Sequence, residues 1–318
     1  MSAAESRVQD DVAQAAWLYY VGNLSQQDIS DRLGVSRFKV VRMLADAREQ
    51  GLVRISVEHR TSKTLALADQ LASKYALEEV QVAPVPLSQE DEAYGRSAVG
   101  ILAANYLTRV LSVDEPITIG VGWGRTLSAM ADNLSRIRKN DVRFVSIMGS
   151  VADATHTAPG DVCIRLAATT QSSAMLMPAP FLADSAEACQ TIMQQRLVNK
   201  ALQAARAADH ALMSVGECGP GAILFESEIF TGEQKEELQA AGVVGDCCGV
   251  FFTEDGSVAD TPLNDCTPCV RPNEMADMDT VILASGKRKT TATLAVLRAG
   301  FVKRLLVDET LATSLLMH

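Results

Sequence analysis

Beyond residue 78, short apolar runs alternate with stretches of helical periodicity, and this alternation constrains the fold more than any other feature of the chain. The runs are PITIGV (116–121), VRFVSIM (142–148), SAMLMP (173–178), HALMSVG (210–216), TVILAS (280–285) and KRLLVD (303–308). Strands that are apolar almost throughout need cover on both faces, a property of parallel sheets flanked by helices. Helix-like stretches at 125–138, 161–171, 185–208, 233–241, 289–299 and 309–317 supply that cover. The pattern predicts an α/β fold with a Rossmann-like parallel sheet.

The residues before this region behave differently. In LSQQDISDRLGVSRFKVVRMLADAREQGLVRI, Ser25 is placed to cap a helix over 26–33 whose Ile29 and Leu33 share one face. Gly34 suits the left-handed turn between two helices, Val35 plugs the junction, and Ser36 caps a second helix over about 37–49. Val40, Leu44 and Ala47 fall on its buried side, and Arg37, Lys39 and Arg42 face outward. A first helix through 8–21, with Val12, Ala16 and Val21 inward, completes a three-helix core. Gly51–Val57 reads as a short β-wing. Such a helix-turn-helix sets its second helix in the major groove of DNA, with its N-terminal residues toward the base edges.

Charge agrees with this placement. The net charge of −10 excludes an indiscriminate nucleic-acid binder, yet residues 32–60 hold seven basic side chains against three acidic ones. Arg37 and Lys39 are the candidates for guanine or phosphate, and Gln26 and Gln27 suit phosphate contact. The DNA-facing set is therefore Gln26, Gln27, Ser36, Arg37, Phe38, Lys39 and Arg42. Phe38 reads equally as a thymine-methyl contact or as core.

Two strands end in glycine turns that lead into helices. In PITIGVGWGRTLSAM, the turn Gly122-Trp123-Gly124 lets backbone approach an anion at a helix N-terminus, with Arg125 and Thr126 adding a charge and a hydroxyl. Close strand–helix packing explains such a glycine pair as readily, and no Gly-Lys-Ser/Thr follows to make it a P-loop. In ASGKRKTTATLAVL (284–297), Lys287, Arg288 and Lys289 open a helix, where cations oppose the helix dipole unless an anion binds. A bound anion would remove that conflict; a solvated basic turn is the alternative account of that segment.

Taken in order, the helix-turn-helix, IGVGWGRTL, VVGDCCGVFF with TPLND downstream, ASGKRK and LLVDETLA resemble the SorC family of bacterial sugar-responsive regulators over essentially the full length. The resemblance implies a DNA-binding transcriptional regulator of a carbohydrate or sugar-alcohol catabolic operon. Its sensor domain would be similar to sugar-phosphate isomerases, with an effector phosphate held at Gly122, Trp123, Gly124, Arg125 and Thr126. It further implies that Asp246 and Lys289 contact the ligand and that the protein is a homotetramer on paired operator sites. The domains are then a winged helix-turn-helix over 1–58, a linker or oligomerisation helix over 59–77, and a sugar-phosphate-binding effector domain over 78–318. Three positions depart from the family pattern: Val250 stands where an Arg is usual, Ser285-Gly286 where Gly-Gly is frequent, and Cys266 where a basic residue is common. These departures favour a mono-phosphorylated ligand over a bisphosphate.

No cofactor or metal is expected. Cys266-Thr-Pro-Cys269 has C-x-x-C spacing, but a structural zinc needs four ligands and no second pair of comparable spacing exists. Seven cysteines without framework spacing, no apolar run of about 18 residues and no secretory leader point to the cytoplasm, away from any membrane. The competing function is a sugar-phosphate isomerase or deaminase fused to a DNA-binding module. Proton transfer at a sugar carbon needs a positioned base; Asp246 could serve, but no partner acid is placed by motif.

Overall fold

The computed structural model describes residues 3–49, 52–53, 62–85, 92–151, 159–219, 222–226 and 229–318. The chain divides into two compact units, Met1–Glu58 and His59–His318. No helix among the described residues is long and apolar enough to cross a membrane.

The first unit contains α1 (Ala3–Ala16), a π-helical turn (Trp17–Val21), α2 (Gln26–Leu33) and α3 (Arg37–Glu49). Val12, Ala15, Ala16, Ile29, Val40, Met43, Leu44 and Ala47 form its core. Ser25 caps α2 reciprocally with Asp28, each side chain accepting the other's backbone N–H at 3.2 Å. Gly34 ends α2 in the left-handed conformation at φ 65°, a region that only glycine enters without strain. Ser30 Oγ donates to Val35 O at 2.6 Å and braces the turn. Val21 departs from expectation: it is 57% exposed, because the chain widens into the π turn instead of continuing the α1 spiral. Of the expected wing, Leu52 and Val53 both donate their N–H to Ala47 O at the end of α3, and the rest lies outside the described residues.

The second unit runs α4 (Ser62–Tyr75), β1 (Glu79–Ala83), α5 (Glu92–Val110), β2 (Ile117–Val121), α6 (Arg125–Asn133), β3 (Val142–Ser146), α7 (Pro159–Thr170) and β4 (Ser173–Met175). It continues with α8 (Ala186–Gln194), α9 (Arg196–Arg206), β5 (His210–Glu217), α10 (Ile223–Glu226), α11 (Gly232–Ala240), β6 (Val243–Cys247) and β7 (Val250–Thr253). The last elements are β8 (Asp279–Ala284), α12 (Thr290–Arg298), β9 (Arg304–Asp308) and α13 (Glu309–Met317). Among the described residues seven strands form a parallel sheet in the order β1-β9-β8-β5-β2-β3-β4, and the antiparallel hairpin β6–β7 attaches to the end of β5.

Successive side chains of a strand point to opposite faces, so the sheet splits the apolar interior in two. Leu212, Val281, Leu283 and Leu306 join α5, α6 and α7 on one face. Ala211, Met213, Val215, Ile282, Ala284, Leu305 and Val307 join the cluster containing α4, α9, α12 and α13 on the other. All six expected strand runs are strands. The helix expected over 185–208 is instead two helices, broken where Gln195 takes an extended ψ of 133°.

Candidate functional site

The order of the parallel sheet reverses between β2 and β5: the chain leaves β2 toward β3 and β4, and leaves β5 toward β8 and β9. At such a switch point the loops after the two strands diverge and open a crevice at their carboxyl ends. A pocket occupies this crevice, lined by Trp123, Gly124, Arg125, Ser214, Val215, Gly216, Glu217, Leu224, Asp246 and Lys289.

Each wall has a local cause. Gly124, at φ 128°, is the N-cap of α6 and supplies no side-chain cap to the first amides of that helix. A Cβ on Gly124 would lie 2.5 Å from Ser214 Oγ, which donates to Trp123 O at 2.6 Å. The indole of Trp123 lies 5.3 Å from the Phe181 ring, which fixes the loop to the aromatic cluster beneath it. On the far side of β5, the turn after β8 passes through Gly286 at φ 90° and a 3-10 turn of Lys287–Lys289 into α12. Lys289 reaches back and donates to Val215 O.

Asp246 arrives from the hairpin. It sits opposite Gly216 in the antiparallel pairing of β5 with β6, and it is 2% exposed. A Cβ on Gly216 would meet Asp246 Oδ1 at 1.9 Å, so only glycine permits this approach. The hairpin turns at Cys248 and Gly249, both at positive φ (53° and 80°), as a two-residue turn matched to strand twist requires. Gly249 N–H donates to Asp246 Oδ2 at 3.2 Å.

Electrostatics set this group of residues apart. Burial pushes the Asp246 carboxyl up to about 6, against the pull of the Gly249 N–H and of Lys289. Burial likewise holds Lys289 below the ordinary lysine range; Glu217 and Asp246 oppose that shift, and Arg125 and Arg96 reinforce it. The pocket thus combines a helix N-terminus and two cations with two carboxylates. The first group suits an anionic substituent, and the second suits hydroxyl donors.

Of the residues expected around the ligand, Trp123, Gly124, Arg125, Asp246 and Lys289 line this one pocket. Gly122 and Thr126 do not. Gly122 donates to Leu212 O at 2.9 Å, and a Cβ there would fall 2.8 Å from Cys248 Sγ, so its lack of a side chain serves packing. The Thr126 side chain is buried. Ser214, Gly216, Glu217 and Leu224 belong to the lining but were not anticipated; the one available signal was the small-residue pair Ser214/Gly216 at the end of an apolar run.

In the first unit, Gln27, Ser36, Arg37, Phe38, Lys39 and Arg42 are exposed and Gln26 is half-buried. Ser36 Oγ accepts the Lys39 N–H at 3.2 Å and so caps α3, and Gln26 Oε1 accepts from Arg37 Nε at 3.4 Å. Phe38 is 90% exposed, which removes it from the core. Among the described residues no group of three or more His, Cys, Asp or Glu could hold a metal ion, and the buried Cys266 and Cys269 are free thiols.

Comparison with known proteins supplies the context. Residues 59–317 match the family model described as "Putative sugar-binding domain". The chain is 32% identical over 304 residues to the erythritol catabolism regulatory protein EryD of Brucella abortus, covering 95% of each protein. It is 28% identical over 310 residues to the deoxyribonucleoside regulator of Bacillus subtilis, covering 95% of this chain and 96% of that one. The full-length sorbitol operon regulator SorC of Klebsiella pneumoniae superposes with a TM-score of 0.73 at 25% identity, over 96% of this chain and 98% of that chain. With helix-turn-helix geometry in the first unit and a pocket at the sheet's switch point in the second, the chain belongs to the SorC family of transcriptional regulators.

Proposed function

We propose that this regulator controls a carbohydrate or sugar-alcohol catabolic operon, binding operator DNA through α3 and a phosphorylated sugar or sugar alcohol at the β2/β5 crevice. The observation that carries the reading is the convergence of the uncapped α6 N-terminus, Arg125, Lys289 and Asp246 on one pocket. A phosphate against α6, Arg125 and Lys289 would meet the N-terminus of a helix without a side-chain cap and two cations, while Asp246 and Glu217 accept hydrogen bonds from sugar hydroxyls. The relatives point the same way, since EryD is named for erythritol catabolism and SorC for the sorbitol operon. In this reading the effector domain extends over 78–318, with 59–77 as a connecting helix, and the protein acts as a cytoplasmic homotetramer on paired operators. Sedimentation velocity tests the tetramer.

The effector regulates by binding one arrangement of the protein better than another, and a ratio of about 100 in affinity corresponds to about 2.7 kcal/mol. The direct experiment is a thermal-shift screen of phosphorylated sugars and sugar alcohols beside their unphosphorylated forms. At about 100 times Kd a true effector adds about 2.7 kcal/mol and raises the melting point by a few degrees. A shift produced only by an unphosphorylated compound would remove the phosphate from the proposal, and silence across the panel would remove the sensor. The protein binds this ligand without turning it over. One observation favours catalysis instead, because a carboxyl at about 6 beside a buried lysine has the acidity of a proton-transfer group; isomerisation of the ligand that gives the shift would establish that alternative.

A further inference from the structure

We propose that Phe38 reads a thymine in the operator by packing on its 5-methyl group in the major groove; this rests on the assignment of α3 as the DNA-reading helix. Phe38 is the most exposed large apolar side chain among the described residues, at 90%. Val40, Met43, Leu44 and Ala47 bury one side of α3. At 3.6 residues per turn, Phe38 points about half a turn away from them, along the line that leads straight out of the domain. Val41, 45% exposed, stands one turn further along the same outward surface.

The surroundings of this apolar stripe decide what it can meet. Arg37, Lys39 and Arg42 are exposed around it, and on α3 the first acidic residue, Asp46, comes only after the second turn. A protein partner would be expected to leave a broader apolar patch, whereas so narrow an apolar stripe among three cations fits a polyanion with an apolar feature in its groove. Arg37 is tied by Gln26 of the supporting helix, which keeps the start of α3 ordered for close approach. Thymine is the only DNA base with a methyl group on the major-groove edge, and an aromatic side chain is an apolar partner for it. The contact needs no hydrogen-bonding group on the protein, which is why a phenylalanine can sit among residues that otherwise recognise bases and phosphates.

The test uses the full-length protein and operator sequences selected from a random duplex library. Each thymine of the selected site is replaced singly by uracil, which keeps every hydrogen-bonding group and removes only the methyl. In each half-site, one such replacement should weaken wild-type binding by about four-fold, the value of one buried methyl group. Phe38→Ala should bind the thymine site more weakly and be indifferent to uracil at that position. Because the side chain is almost wholly solvent-exposed, this variant should melt with the wild type, which circular dichroism checks. Uracil tolerated at every position, or a Phe38→Ala protein as sensitive to uracil as the wild type, overturns the inference while leaving the DNA-reading role of α3 standing. Failure of the wild type to enrich any sequence overturns that role as well.

Discussion

Asp246→Asn should make the protein more stable above pH 6 while removing its response to effector. The buried carboxyl of Asp246 is held at about 6 instead of 3.8, with desolvation as the main cause. Its folded value lies above its unfolded value, so the folded state holds the proton more tightly. Stability is then highest below the unfolded value, falls as pH rises from about 3.8 to about 6, and stays reduced above that. A difference of this size corresponds to about 3 kcal/mol. Asparagine keeps an acceptor for the Gly249 N–H and cannot ionise, so the variant escapes this loss. The second unit has roughly 260 residues, and at that size about 3 kcal/mol moves a melting point by about 6–12 °C. Calorimetry near pH 7.5 should show the variant melting higher by that order, with the gap shrinking to about a degree or two near pH 4. A variant no more stable than wild type at neutral pH, or a gap that persists undiminished in acid, would refute desolvation of Asp246 as the dominant effect.

Three other substitutions separate the roles of the two units. Lys289→Ala should abolish the effector's influence on DNA binding while leaving DNA affinity nearly intact in a gel-shift titration; an unchanged effector dose-response would remove Lys289 from the site. Arg37→Ala should do the reverse, weakening specific DNA binding by about 1–3 kcal/mol with effector-induced thermal shifts preserved. Gly124→Ala places a Cβ at φ 128° and 2.5 Å from Ser214 Oγ. It should lower stability by about 1–3 kcal/mol in urea titrations and weaken effector binding; wild-type behaviour on both counts would mean that the loop adjusts freely.

The parts of this fold that could be read from the residues are those with short-range causes. Buried parallel strands announce themselves as continuous apolar runs, and the α2–α3 turn is written in Ser25, Gly34 and Ser36. Elements with long-range causes were missed. The edge strand β1, EVQVA, mixes Glu79 and Gln81 into its short run. The β6–β7 hairpin turns on Cys-Gly where Asn-Gly would have signalled it. Helix α5 shows no clear polar and apolar faces because it is buried through small residues such as Gly95, Gly100, Ala103 and Ala104; a Cβ on Gly100 would lie 2.7 Å from Ala129. In the pocket, the glycine turns after β2 and β8 were visible as motifs. The contribution of β5 was not, since it follows from which strands become neighbours at the reversal of sheet order, and chain-local pattern carries no record of that pairing.

The partition of the interior by the sheet has a consequence for how such a protein can change over generations. Among the described residues the buried apolar side chains of the two faces form separate clusters, so a cavity opened under α6 cannot be filled by enlarging a residue under α12. Each face must be repacked by itself, and drift on one leaves the other untouched. At the carboxyl ends of β2, β5 and β8 residues reached from both faces converge, through Gly124 before α6, Gly216 in β5 and Lys289 before α12. A new ligand preference can therefore be acquired at that rim by a few changes, while the two cores that carry the fold diverge at their own independent rates.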